Sequence, residues 1–241
     1  MSAINLGNIA SAGEYLRLID LGEQYTQEMK EDISSGRFDI CKVGCYLTIN
    51  STRYIFAHPD YWYNKGDSGN KCTAHHMVVI SADTLTNSKM ASSTATPYAT
   101  SYMNSTTIPN TIVPKIQTDF GSANILQIRE SLVSTVSSNG YPSASSFSNV
   151  KAVIPSQIMI FGTMPCTYFT TTNYEYYAAG IDNTQLELFA KRPDLIPLSS
   201  KYWLRDIYNS SNYTAVFTDG TAITQSYSTT SIGARPVFAL C

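Results

Sequence analysis

The sequence predicts an α+β fold of short antiparallel strands, two amphipathic helices and long polar loops, preceded by an N-terminal helical segment. Three observations predict it. Apolar residues recur at helical spacing near the N-terminus and again around residue 130. Short runs of β-branched and aromatic residues, bounded by Asn, Asp and Gly, occupy 45–80 and 201–241. Between them lie stretches of Ser, Thr, Asn and Pro with no period.

From Ser11 to Ile33, the residues Tyr15, Leu16, Ile19, Tyr25, Met29 and Ile33 make a helical stripe. Ser11 caps it, with Glu14 three residues on in the capping-box position, and Ser34-Ser35-Gly36 stop it. Residues 1–36 are therefore expected to be an attachment or oligomerisation segment, and 37–241 the main domain. Phe38 to Ile49 alternates loosely, and Tyr54-Ile55-Phe56 follows the turn Asn50-Ser51-Thr52. Met77 to Ile80 reads as a buried strand. Residues 83–114 read as a long polar insertion on the surface, with one helical turn near Tyr98 to Met103.

A second amphipathic helix is expected from Ala123 to Val136, on Ile125, Leu126, Ile128, Leu132, Val133 and Val136. Ser122 caps it and Gly140 ends it, and a polar loop, Tyr141 to Asn149, follows. Val150 to Ile154 reads as a strand. Pro155-Ser156 opens a short helix through Phe161 that stops at Gly162. Another short helix, capped by Asn183, carries Leu186, Leu188 and Phe189 up to Pro193. Strands then run through Tyr202-Trp203-Leu204-Arg205, Tyr213 to Phe217, Thr221 to Tyr227 and Ala234 to Leu240, with a hairpin turn at Asp219-Gly220.

Composition bounds the function. Of 241 residues, 14% are charged, against about 25% in an average soluble domain. The 17 Tyr outnumber the 16 Lys plus Arg, and a Tyr/Ser/Asn surface has the chemistry of binding faces. A net charge of −2 with no basic stripe argues against nucleic acid. No apolar run reaches membrane-spanning length. Met1 to Gly13 shows no basic region followed by an apolar stretch, so no secretory signal is expected. That combination suits a protein made in a cytoplasm and released in a particle. The five cysteines are an odd number, for which buried free thiols are the plain reading.

His58, Asp60, Cys72, His75 and His76 are the one group with metal-ligand residue types. Neighbours His75 and His76 point to opposite faces of an extended chain, and no HExxH or paired-Cys motif supports a site. Hydrogen-bonded structural histidines are expected, with no metal or cofactor. Nor is there a GxSxG elbow or a phosphate-cradling glycine loop. A glycosidase built on carboxylates distant in sequence stays open.

The C-terminal end carries a resemblance. Trp203-Leu204-Arg205, then Asn212 to Val216, Asp219-Gly220 and Gly233-Ala234-Arg235-Pro236-Val237-Phe238 read as "WLR, short polar loop, V-x-x-D/N-G, G-x-R-P". Upstream, Val153-Ile154-Pro155-Ser156-Gln157 through Phe161-Gly162 resembles the "LPSE-x-E-x-FG" segment that precedes it. The pattern is similar to that of tailed-phage and prophage proteins with a C-type-lectin-like fold, the variable proteins, and more distantly to the formylglycine-generating-enzyme fold. It covers about the last ninety residues.

The resemblance implies a non-enzymatic virion surface protein, either capsid decoration or head fibre. The alternatives are a tail receptor binder, a diversified bacterial ligand-binding protein or, further back, a formylglycine-generating-type enzyme or wall hydrolase. Formylglycine-generating relatives use paired cysteines in this region, where the chain offers only Cys241. A binding surface in the last strands falls on Tyr208, Asn209, Ser210, Asn212, Tyr213, Gln225 and Tyr227, with Thr224 beside them. Trp203, Arg205, Gly220, Arg235 and Pro236 are expected to be structural, with Asp206 a candidate partner for the arginines. The implied partners are a major capsid or tail protein through the N-terminal region, and a host-surface glycan or protein. A homo-oligomer, with a trimer suited to the N-terminal helix, completes the expectation.

Overall fold

In the computed structural model, which describes residues 16–166 and 184–241, the chain is mixed α+β with two five-stranded sheets, one separate hairpin and few helices. The first sheet contains β1 (Ile19–Asp20), β2 (Cys45–Ile49), β3 (Thr52–Pro59), β4 (Met77–Ser81) and β12 (Val237–Leu240), in the order β1-β2-β3-β4-β12. Asn50 (φ 48°) and Ser51 (φ 63°) give the β2–β3 turn two left-handed residues, the handedness that matches strand twist. All five residues of β4 are buried, between β3 on one side and β12 on the other. The last strand therefore closes the sheet that the first half of the chain begins.

The second sheet contains β5 (Thr86–Asn87), β8 (Tyr202–Asn209), β9 (Asn212–Val216), β10 (Ala222–Ser226) and β11 (Gly233–Ala234), in the order β10-β9-β8-β11-β5. A hairpin of β6 (Ile128–Val136) and β7 (Pro142–Val150) stands apart. One continuous core runs through all of these, from Met29 and Ile33 to Phe238 and Leu240. Tyr54, Phe120 and Phe238 meet in it, with ring centroids 4.9 to 5.9 Å apart.

Among the described residues, the long N-terminal helix is not present. Helix α1 spans only Gln27–Ser34, capped by Thr26, whose hydroxyl accepts from the Met29 N–H at 3.3 Å. Residues before it run extended beside β2: the Ile19 N–H donates to Gly44 O at 3.1 Å, and that of Leu21 to Tyr46 O at 2.9 Å. Gly22 at φ 100° breaks any helix there, and the open edge of β2 supplies ladder partners instead. Ser34-Ser35-Gly36 end the helix as expected. With Met29 and Ile33 in the common core, residues 16–36 belong to the main body, and a helix bundle built on them loses its basis. The Ser11 cap and Glu14 lie outside the described residues, as does Asn183.

The second helix and the polar loop after it are also corrected. Ser122–Asn124 make one 3-10 turn, while Leu126 and Ile125 pair with β12. Ile128–Val136 and Pro142–Val150 are the two strands β6 and β7, turning at Gly140. Ile128, Leu132 and Val136 fit both periods, but Ile, Val and Thr are stiff at χ1 and favour strands.

The 83–114 segment is no surface excursion. Met90, Ala91, Tyr98, Met103, Ile108 and Ile112 are buried, each anchoring a short irregular piece. Its helical turn, Tyr98–Thr100, leads into a π-helix, Met103–Ile112, and then α2, Val113–Phe120.

Two short helices match expectation. In α3 (Gln157–Phe161) the Ser156 hydroxyl accepts from the Met159 N–H, and left-handed Gly162 ends it. Helix α4 spans Glu187–Lys191 and carries buried Leu188 and Phe189 before Pro193.

Candidate functional site

The motif residues of the C-terminal segment form one buried frame. Trp203 is fully buried on β8, and its indole N–H donates to Ser88 O at 2.7 Å, pinning the start of the 88–101 segment. Arg235, 1% exposed between β11 and β12, donates from Nε to Ser81 O at 2.9 Å and from Nη1 to Leu195 O at 3.0 Å. Its guanidinium lies between the rings of Phe189 and Tyr202, 5.3 and 5.2 Å from their centroids. A charged group so enclosed is tolerated because its donors tie carbonyls from separate segments together. Pro236 is buried beside it, and Gly220 (φ 88°) turns the β9–β10 hairpin against Pro197.

Arg205 meets a different acid from the one expected. Its Nη2 donates to Glu130 Oε1 at 3.1 Å, while the other oxygen, Oε2, accepts from the Trp62 indole N–H at 2.6 Å. Glu130 is fully buried on β6 and Arg205 is 6% exposed. Asp206, next along β8, accepts the Gln157 N–H at the start of α3. Sequence reading missed Glu130 and Trp62. The period-two spacing Ile128, Glu130, Leu132 was the signal, hidden by the helical reading of the same residues.

The histidine group is engaged in hydrogen bonds. His76 is fully buried; its Nδ1–H donates to Ala74 O at 2.9 Å and its Nε2 accepts the Trp62 N–H at 3.0 Å. Burial holds its pKa below the ordinary histidine value, as it does for His58, whose Nδ1 accepts the Glu187 N–H. Asp60 bridges the neighbours, accepting the His76 N–H on Oδ1 and meeting His75 Nδ1 at 2.7 Å on Oδ2. His75 points away from His76 and stacks on Tyr63 at 4.6 Å. Among the described residues, no three of His, Cys, Asp and Glu converge to hold a metal. All five cysteines are free thiols: Cys41 and Cys45 are buried, and Cys72, Cys166 and Cys241 partly so.

The surface expected to bind is only partly available. Tyr208, Asn209, Ser210, Asn212, Gln225 and Tyr227 are half-buried and Thr224 is exposed. Tyr213 is a correction: it is 1% exposed and its hydroxyl donates to Thr96 O, so it holds the 88–101 segment and presents no face. Asn209 Oδ1 accepts from the Ser211 N–H and from Asn212 Nδ2, which shapes the hairpin tip from within. The tip is also held from outside, where the Ser210 N–H donates to Asn139 O and Ser210 O accepts from the Ala95 N–H. These bonds hold the rim in one conformation.

Two hollows lie away from the frame residues. One, about 320 Å³, lies between the π-helix at Asn104 and Ile108 and the end of β7 at Asn149 and Val150. The other, about 1040 Å³, lies beside β1 and α4, with Arg17, Lys42 and the Glu187–Lys191 ion pair (2.6 Å) on its walls. No helix among the described residues is long and apolar enough to cross a membrane. Comparison with protein-family models, with curated proteins and with solved structures found no match.

Proposed function

We propose that this chain is a non-enzymatic surface protein of a tailed-phage virion, of the capsid-decoration or head-fibre type, with a C-type-lectin-like fold over the main domain. The observation that carries the reading is the C-terminal motif. Trp203 and Arg205 on β8 and Arg235 and Pro236 some thirty residues on are all buried, and three of them tie backbone or acid from segments distant in sequence. A pattern that recurs in sequence thus corresponds here to one scaffold, which carries the β8–β9 and β9–β10 hairpins. The non-enzymatic reading is supported by the engagement of His58, Asp60 and His76 in structural hydrogen bonds.

In this reading, the N-terminal region contacts a major capsid or tail protein. Because residues 16–36 are built into the main body, attachment is assigned to residues 1–15, which lie outside the described residues. The half-exposed rim of Tyr208, Asn209, Ser210, Asn212, Gln225 and Tyr227 is assigned to a host-surface glycan or protein.

The test is co-sedimentation of the purified full chain with empty phage capsids, beside a chain beginning at Leu16. Binding that the shortened chain loses supports decoration through the N-terminal region. Failure to bind capsids, with blocking of phage adsorption to cells by the same protein, favours the tail receptor reading. Failure in both assays removes the virion reading altogether.

A further inference from the structure

We propose that β10 is a self-association edge, pairing antiparallel with β10 of a second copy of this chain to join two five-stranded sheets into one of ten strands. The second sheet ends at β10, whose register against β9 is unbroken over all five residues. The hydrogen-bonding parity is fixed by its flanks: the Phe217 N–H donates to Thr221 O and the Tyr227 N–H to Ser211 O. Residues 221, 223 and 225 therefore direct their backbone groups toward β9, and Ala222, Thr224 and Ser226 direct theirs outward; the Tyr227 carbonyl accepts from the Met90 and Ala91 N–H groups. Among the described residues, only Ser226 O is engaged on that outer side, by the Thr229 N–H.

Four of the other edges are closed or blunted. β1 and β5 are two residues long. β12 is flanked by bridges at Val153 and Ile125. β7 begins with Pro142 and shifts register twice against β6, features that discourage added strands. β10 carries none of these protections.

The occupant follows from charge and symmetry. From Gly220 to Ala234 the chain has no charged residue, so two copies meet there without like-charge repulsion. Centring a two-fold axis on Thr224 sets it opposite Thr224 of the second copy, and sets Ala222 opposite Ser226. The residues that meet are the ones whose N–H and C=O groups point outward, so the edge is complementary to itself. Their side chains are small, and Thr224 is exposed, so nothing bulky obstructs the approach.

The experiment is sedimentation velocity over a concentration series on the full chain and two variants. Thr224→Pro removes an N–H that faces outward and leaves the β9 ladder whole, a position where strand proline is tolerated. It is expected to leave the melting temperature unchanged and to weaken the dimer about tenfold to a hundredfold, as loss of two symmetric ladder bonds implies. Thr224→Lys, which sets like charges across the axis, gives the same result if the proline variant fails to fold. In addition, Thr224→Cys places its two Cα atoms about 5.5 Å apart across the axis, within disulfide reach. It should give an oxidised dimer that Gln225→Cys and the unmodified chain do not. A chain that stays monomeric throughout the series overturns the proposal, and so does a dimer that both the proline and lysine variants leave intact.

Discussion

Replacing Glu130 with Gln isolates the charge at the centre of the molecule. The substitution keeps the shape and keeps an oxygen for the Trp62 indole N–H, but leaves the Arg205 guanidinium buried opposite a neutral group. Glu130 is fully buried and Arg205 nearly so, so solvent cannot screen the loss. Breaking a buried pair from one side costs about 3–5 kcal/mol, because it strands the remaining charge. For a domain of this size each kcal/mol moves the melting temperature by about 2–4 °C, so a fall of about 6–20 °C is expected.

Removing both charges in Glu130→Gln/Arg205→Met should recover most of that loss, since a well-packed apolar replacement of a buried pair is often neutral. Urea unfolding followed by tryptophan fluorescence reads it directly, because Trp62 and Trp203 are both fully buried. The reasoning is refuted if the single variant loses less than about 1 kcal/mol, the range of exposed pairs. A double variant no more stable than the single one refutes it equally.

Two further outcomes follow from the same geometry. The pKa of His76 is depressed in the fold, as is that of His58, so the unfolded chain takes up protons first as pH falls. Their contribution is whole above about pH 6.5, the unfolded value, and is lost on descending through it; a urea midpoint flat between about pH 7.5 and 5.5 contradicts this. Gly140 turns the β6–β7 hairpin at φ 83°, where an added Cβ would collide with the Ser210 backbone nitrogen. Gly140→Ala should therefore cost at least about 1–3 kcal/mol, and an unchanged melting temperature would show that the two hairpin tips do not support each other.

Asp32 illustrates how local chemistry is readable only after folding. Burial works to raise its pKa, but the N–H groups of Cys41, Asp39 and Ile40 outweigh it and hold the carboxylate below its usual range. Nothing in the sequence singles out this acid among the 18 Asp and Glu, because its ligands are backbone groups of a loop that α1 and β2 bring together.

By itself the sequence determined the elements whose signals close within a few residues. The Asn50-Ser51 turn, the apolar run of β4, the Ser156 and Gly162 ends of α3, and the β8 to β10 hairpins are of this kind. Each rests on a local dihedral or cap that distant contacts do not have to supply. Only tertiary structure decided the rest. Residues 16–26 became extended because β2 offered a free edge, and 128–150 became a hairpin because its polar second strand pairs with an apolar first one. The sparse apolar residues of 83–114 found separate sockets in the core. Glu130 met Arg205 across 75 residues, and Tyr213 left the surface to hold Thr96. The physical reason is common to all of them: ladder bonds and buried polar contacts belong to pairs of segments, and a pair is not a property of either segment's own sequence.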